Sequence, residues 1–307
     1  MWSVGCLSDM MEARRALITG LDGFTGHYLK AELETAGWQV FGMGMQERPD
    51  DPTYRQVDLF DVEGLRAWVE VVQPDVVAHL AAISFVAHGD VEAIYRTNVV
   101  GTRNLLAALA GLEKRPKAVL LPSSGTIYGN AVVEVMDESM PPAPTNDYAV
   151  SKLAMEYMAR LWLDRLPIVI ARPFNYTGVG QGESFLLPKI VAHFRRRASM
   201  IELGNLDVWR DFSDVRTVAR VYRQLMETAP EGEVFNVCSG SVHSLREVLA
   251  MMAEIAGYAI EVRVNPAFVR ANEVRRLQGD CCKLTRQVGA LPAIPLKETL
   301  RWMYVGG

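Results

Sequence analysis

The chain has 307 residues, half of them apolar, and a formal net charge of −4, enough to bury a large core as one big domain or two unequal lobes. The near-balanced charge, with Arg195, Arg196 and Arg197 as the basic triplet, offers no phosphate-tracking surface, so nucleic acid is not an expected partner; no apolar stretch reaches the roughly 20 residues that span a bilayer, so neither is a membrane. Cys6, Cys238, Cys281 and Cys282 have no zinc or disulfide spacing and the five histidines no ligand spacing, which reads as free thiols in a reducing cytoplasm and no metal.

In chain order, the opening MWSVGCLSDMM lacks the basic start and apolar run of a signal peptide and reads as a poorly ordered leader. Short Val/Ile/Leu-rich runs then follow at 14–20, 38–44, 74–82, 117–124 and 167–173. They lack period-2 alternation, as strands covered on both faces should. Amphipathic segments near 25–36, 61–72, 91–112 and 148–164 separate them, and the rhythm is that of a doubly wound α/β fold with a parallel sheet. Past residue 173 the rhythm breaks. A helix at 214–229 and a strand at 233–239 are expected to return to the sheet. The division implied is a nucleotide-binding domain over 12–173, rejoined by 207–240, and a smaller discontinuous α/β lobe from 174–206 and 241–307. Ligands of such a fold sit in a cleft at the carboxyl ends of the parallel strands.

The first strand runs into TGLDGFTG (19–26), where Gly20, Gly23, Phe24 and Gly26 make a glycine turn opening the first helix. Such a turn lets backbone approach a pyrophosphate, and the helix N-terminus favours the anion. The end of the second strand sets cofactor choice: an acid there binds the ribose hydroxyls of NAD, an Arg the NADP phosphate. Gly44 stands where the acid is expected and Arg48 follows shortly, which favours NADPH with NADH possible, while an exposed loop role for Arg48 is as good a reading. Asp58 and Leu59 lie where a carboxylate can accept the adenine amino group, although Asp58 also suits a helix start. Ala81 and Ala82, closing the fourth strand, are small enough to let a flat cofactor lie against the backbone.

Tyr148 and Lys152 in YAVSK share a helix face by their spacing of four, and Ser124 ends the fifth strand. A lysine ammonium near a phenol is expected to lower its pKa from about 10, giving a general acid/base near neutrality that a serine hydroxyl assists.

With TGLDGFTG, HLAA (79–82), NVVGT (98–102), SSGTIYG (123–129), YAVSK and RPFN (172–175) in order, the chain resembles the extended short-chain dehydrogenase/reductases from Arg14 onward. The resemblance implies a Rossmann fold, Ser124, Tyr148 and Lys152 as catalytic triad, and Lys152 holding the nicotinamide ribose. The segments 171–185, 203–215, 235–240 and 269–280 are similar to the GDP-mannose 4,6-dehydratase and GDP-4-keto-6-deoxy-D-mannose reductase branch. That likeness implies Asn175, Lys189, Arg210, Arg270 and Glu273 as GDP contacts. Ala271-Asn272 departs from the branch's Pro-Ala before the Glu.

Within the branch, dehydratases carry a Glu two residues before the Tyr of S-x-x-x-Y-G, and epimerase-reductases a Cys there plus a later His. Here those places hold Thr126, which would then only face substrate, and Gly180. Thr126 cannot move a proton at neutral pH, which leaves the hydride step alone. The implied activity is reduction of the C4 ketone of a GDP-linked 4-keto-6-deoxy sugar to GDP-D-rhamnose. Alternatives are the C4 epimer, GDP-6-deoxy-D-talose, a dehydratase or 4-epimerase that retains its cofactor, and a non-catalytic NADP binder. The resemblance also implies a homodimer through the helices near 91–112 and 148–164, with Val99, Leu105, Leu106, Ala108 and Leu109 fitting either that interface or the cover of a sheet.

Overall fold

The computed structural model describes residues 14–84, 89–130, 133–268, 274–290 and 292–306; the expected leader, Cys6, Arg270, Ala271, Asn272 and Glu273 lie outside them. The chain begins β1 (Arg15–Thr19), α1 (Phe24–Thr35), β2 (Gln39–Gly44), β3 (Tyr54–Gln56), α2 (Val62–Val72) and β4 (Val76–His79). Next come α3 (Val91–Tyr95), a π-helical turn (Arg96–Gly101), α4 (Thr102–Leu109), β5 (Ala118–Pro122), α5 (Asp147–Arg160) and β6 (Ile168–Pro173). After them stand β7 (Asn175–Thr177), α6 (Leu186–Arg195), β8 (Met200–Leu203), β9 (Trp209–Asp214), α7 (Val215–Thr228) and β10 (Val234–Val237). The remainder comprises β11 (Val242–Ser244), α8 (Leu245–Ala256), β12 (Glu261–Val264), β13 (Arg276–Leu277), α9 (Cys282–Val288) and α10 (Leu296–Gly306).

Seven strands form one parallel sheet in the order β10-β6-β5-β4-β1-β2-β3. Every residue of β4 and β6 is buried, as a sheet covered on both faces requires. One face packs on α1, α7 and Leu284 of α9, the other on α2, α4 and α5. This is the Rossmann-type doubly wound α/β fold that the strand rhythm predicts. The chain runs outward from β1 to β3 and then returns to place β4 on β1's other side, so the crevice for a ligand opens at the carboxyl ends of β1 and β4. Leu105, Leu106, Ala108 and Leu109 are fully buried against the sheet, which decides between the two uses the sequence leaves open for them. Val99 is half-buried.

The helix expected over 91–112 is interrupted. Its middle is the π turn, and Gly101 within it faces Leu59 so closely that an added Cβ would stand 2.8 Å from Leu59 Cδ1. Beyond β6 lies a four-stranded sheet, β11-β9-β13 with β7 also on β9, and a parallel pair, β12-β8. A separate core of Leu187, Ile190, Phe194, Val248, Met252, Leu300 and Met303 joins α6, α8 and α10. Cys238, Cys281 and Cys282 are free thiols. Among the described residues no helix is long and apolar enough to cross a membrane.

Candidate active site

The glycine turn lies at the switch point. Gly20 has φ +68° and its amide donates to Met43 O at 2.8 Å. A Cβ there would lie 2.7 Å from Ala81 N, so the turn after β1 and the end of β4 approach at a distance only glycine allows. Gly23 caps α1 and, among the described residues, no side chain caps its first amides, which leaves this helix end suited to an anion. Phe24 stacks on Tyr176, with ring centroids 6.2 Å apart, and Thr25 Oγ1 lies 2.9 Å from Tyr176 Oη. The crowded glycine and the uncapped helix end fit a dinucleotide pyrophosphate.

Asn146 Oδ1 accepts from Ala149 N at 2.9 Å and so starts α5. That start places Tyr148 in the first turn and Lys152 one turn on. Ser124 begins the short 3-10 turn after β5, where its Oγ accepts from Thr126 N at 3.2 Å. Ser124, Tyr148 and Lys152 are all buried, and Ser124 is close enough to the Tyr148 phenol to act on its pKa. Lys152 Nζ donates to Pro122 O at 2.9 Å. The phenol's pKa is raised, chiefly by burial and then by Tyr176, against a lowering by the Ser124 hydroxyl. This differs from the expectation that Lys152 draws it down: the ammonium is engaged by the β5 carbonyl, and burial dominates. A raised pKa keeps the phenol protonated, the state a proton donor needs.

Behind these groups stand polar contacts that pin the backbone. Asn98, buried in the π turn, accepts from Ile83 N at 2.9 Å and donates to Ile83 O at 3.1 Å and to Ser151 Oγ at 3.0 Å. It thereby ties the loop after β4 to the residue before Lys152, a use typical of π turns. His79 lies between Thr19 Oγ1 at 2.7 Å and Thr102 Oγ1 at 2.9 Å. Burial, and then Lys152, takes its pKa to about 3, so it is a neutral core residue.

At the end of β2, Arg48 pairs with Asp22 and lies 3.9 Å from Asp51, its guanidinium 4.7 Å above the Tyr54 ring. Asp58 Oδ1 accepts from Phe60 N at 2.9 Å, while Asp61 caps α2. Leu59 is buried and its carbonyl accepts from Asn104 Nδ2 at 3.0 Å. Ala81 N donates to Thr19 Oγ1 at 3.1 Å, and Ala82 beside it is half-buried.

The residues expected to meet substrate are placed as follows. Thr126 Oγ1 lies 2.8 Å from Ser124 Oγ, directly beside the triad. Asn175 opens β7, its side chain donating to Asp211 O at 3.4 Å. Arg210, on the neighbouring β9, donates to Trp209 O at 2.9 Å and to Arg275 O at 3.4 Å. Lys189 reaches Glu202 O at 2.8 Å and lies 4.6 Å from the Phe268 ring centre. Lys189 thus lies beside Phe268 and Arg210 beside Arg275.

Residues 17–303 match the family model described as GDP-mannose 4,6 dehydratase. The chain belongs to that family. It is 35% identical over 302 residues to a GDP-6-deoxy-D-mannose reductase of Pseudomonas aeruginosa, covering 94% of this chain and 95% of that one. It is 33% identical over 276 residues to a GDP-6-deoxy-D-talose 4-dehydrogenase of Aggregatibacter actinomycetemcomitans, covering 90% and 91%. Among solved structures, one from Burkholderia cenocepacia J2315, provisionally assigned as an epimerase, is 58% identical with TM-score 0.90, covering 95% and 97%. RMD from Pseudomonas aeruginosa in complex with NADPH is 34% identical with TM-score 0.83, covering 95% and 98%.

In this member of the GDP-mannose 4,6-dehydratase family, two residues not singled out from the sequence stand beside the triad, Asn98 and Tyr176, and a third, Asp22, stands at the end of β2. Asn98 lies within NVVGT and Asp22 within TGLDGFTG, so a signal existed for both, whereas Tyr176 meets Tyr148 only through folding. A pH dependence follows from Lys152. Burial lowers its pKa to about 8, with Glu156 opposing, so the ammonium is present below that value and lost above it. Turnover is expected to fall as pH rises through about 8, and Lys152→Arg should flatten that fall while lowering the maximum. A wild-type profile level up to about pH 10 contradicts a role for the charge.

Proposed function

We propose that the chain is an NAD(P)H-dependent GDP-sugar oxidoreductase that reduces the C4 ketone of GDP-4-dehydro-6-deoxy-D-mannose, giving GDP-D-rhamnose. The observation that carries this reading is the buried set of Ser124, Tyr148 and Lys152 with Thr126, not an acid or a thiol, hydrogen-bonded to Ser124. A dehydratase or 3,5-epimerase step needs a further proton-moving group next to the sugar ring, and a threonine hydroxyl is not one at neutral pH; a 4-epimerase needs none and is separated by its retained cofactor. NADPH is the cofactor proposed, with NADH also accepted. It fits the cradle around Gly20, and a structural neighbour is described with NADPH.

When bound, the nicotinamide supplies the hydride for the C4 carbon. Ser124 hydrogen-bonds the ketone oxygen and orients it. Tyr148 gives its phenolic proton to that oxygen as negative charge develops, and the hydroxyl of the product is complete. Lys152, fixed by Pro122 O, holds ribose hydroxyls and offsets charge on Tyr148. Asn175, Lys189 and Arg210, with Arg270 and Glu273, are assigned to the GDP moiety in a cleft between the large sheet's domain and the lobe of 174–206 and 241–307. Arginines grip diphosphate oxygens and a carboxylate accepts ribose hydroxyls.

A second reading keeps the chemistry and inverts the face: the product is GDP-6-deoxy-D-talose, favoured by the talose-named relative. Incubation with the ketone and NADPH separates reductase from cofactor-retaining enzyme. One NADPH consumed per ketone supports the proposal; conversion of the sugar without net oxidation of NADPH overturns it. The protein is further proposed to be a cytoplasmic homodimer. Val100 in the π turn, Val150 and Tyr157 on α5 and Leu161 just after it are exposed, an apolar surface on the helices proposed to pair. Light scattering at micromolar concentration is expected to give twice the chain mass, and a monomer contradicts the assembly.

A further inference from the structure

The carboxylate missing from the end of β2 is supplied from a different element. Asp22 is the third residue of the glycine turn. The turn is laced to β2 by Gly20 N and Leu21 N, which both donate to Met43 O, at 2.8 and 3.4 Å. From there the Asp22 side chain lies across the last residue of β2: a Cβ added at Gly44 would stand 2.5 Å from Asp22 Oδ2 and 2.7 Å from Tyr54 Oη. Gly44 is glycine because its side-chain position is already filled by this carboxylate and phenol. An Asp placed at 44 would therefore displace Asp22 rather than add an acid.

Asp22 is itself held. Oδ1 accepts from Arg48 Nη2 and Oδ2 accepts from Tyr54 Oη. Its side chain is 12% exposed, against 30% for Asp51, the other carboxylate near Arg48 at 3.9 Å. The more buried and closer pair is the less screened one. Burial and Asp22 together push the Tyr54 phenol up to about 12, so that phenol stays a donor to the carboxylate.

We propose that Asp22 sets the selectivity between 2′-phosphorylated and unphosphorylated nicotinamide cofactors, resting on the reading that the glycine turn holds the cofactor. Two opposed interactions meet at one side chain. A carboxylate over the end of β2 accepts the 2′-hydroxyl of an unphosphorylated adenosine ribose and repels a 2′-phosphate. Arg48 attracts that phosphate, but only to the extent that Asp22 releases it. The pair makes the site accept both cofactors, with the balance set by the carboxylate rather than by the residue after β2.

The test is equilibrium binding of NADPH and of NADH to the full chain, read by fluorescence or calorimetry without any sugar. Asp22→Asn keeps shape and removes charge. It is expected to raise the ratio of NADPH to NADH affinity by about tenfold, on the scale of one charged hydrogen bond. Arg48→Met is expected to lower the same ratio by about as much, and it tests the pair independently should Asp22→Asn not fold. An unchanged ratio in both folded variants overturns the proposal. Equal weakening of both cofactors by Asp22→Asn also overturns it, since it would make Asp22 only a brace of the turn. Binding of neither cofactor by the wild-type chain is a different failure, that of the cofactor reading, and the proposal falls with it.

Discussion

Tyr148→Phe is expected to lower turnover by roughly two to four orders of magnitude, the usual worth of a positioned proton donor. The substitution removes one oxygen and keeps the ring that fills the buried space between Ser124 and Tyr176. Cofactor and sugar affinities should change little, because the phenol matters most once charge develops on the ketone oxygen. Steady-state kinetics beside cofactor titration separates these effects. Turnover within a fewfold of wild type would remove Tyr148 from the proton path. Weakened cofactor binding with unchanged turnover would make it a structural residue.

The second large effect concerns stability. Glu156 lies one turn beyond Lys152 and grips Arg172 of β6 by two hydrogen bonds, 2.9 Å from Nε to Oε1 and 2.8 Å from Nη2 to Oε2. The two side chains are 1% and 4% exposed. Arg172 Nη1 also donates to Tyr128 Oη at 2.9 Å, and Tyr128 donates to Asn236 Oδ1 of β10 at 2.8 Å. The network therefore ties α5 to β6 and β10 beneath the triad. Glu156→Gln leaves a buried guanidinium without its countercharge and is expected to cost about 3–5 kcal/mol in chemical denaturation. Replacing both partners, as in Glu156→Leu with Arg172→Met, should recover much of that loss, because desolvation is then avoided on both sides. A single variant as stable as wild type contradicts the account. Glu156 also raises the pKa of Lys152, so Glu156→Gln should move the alkaline fall in rate to lower pH.

The parallel sheet was legible because its strands are covered on both faces and so read as unbroken apolar runs: Ile168–Pro173 is buried throughout. The triad was legible because Tyr148 and Lys152 lie on one short helix and their chemistry depends on that spacing. The smaller sheet was not. Its central strand, Trp209–Asp214, buries Asp211, Ser213 and Asp214, so it lacks the apolar pattern that marks a strand. Asp211 is satisfied instead by Ser239 N at 2.8 Å, Ser239 Oγ at 2.7 Å and Gly240 N at 2.9 Å, partners distant in the chain. Asp22 was missed for a similar reason. The rule that seeks an acid after β2 looks along one strand, whereas the carboxylate arrives from the neighbouring turn. The interruption of the helix at Arg96–Gly101 has no marker in residue type. It follows from Asn98 bonding both the loop after β4 and Ser151.

The most direct test of the central claim is to supply NADPH deuterated at the transferable position of the nicotinamide, together with GDP-4-keto-6-deoxymannose, and to examine the sugar by NMR. The account predicts one deuterium at C4 of a GDP-6-deoxyhexose with none at C3 or C5, and one equivalent of oxidised cofactor. A product without deuterium at C4, or with solvent hydrogen incorporated at C3 or C5, would contradict it.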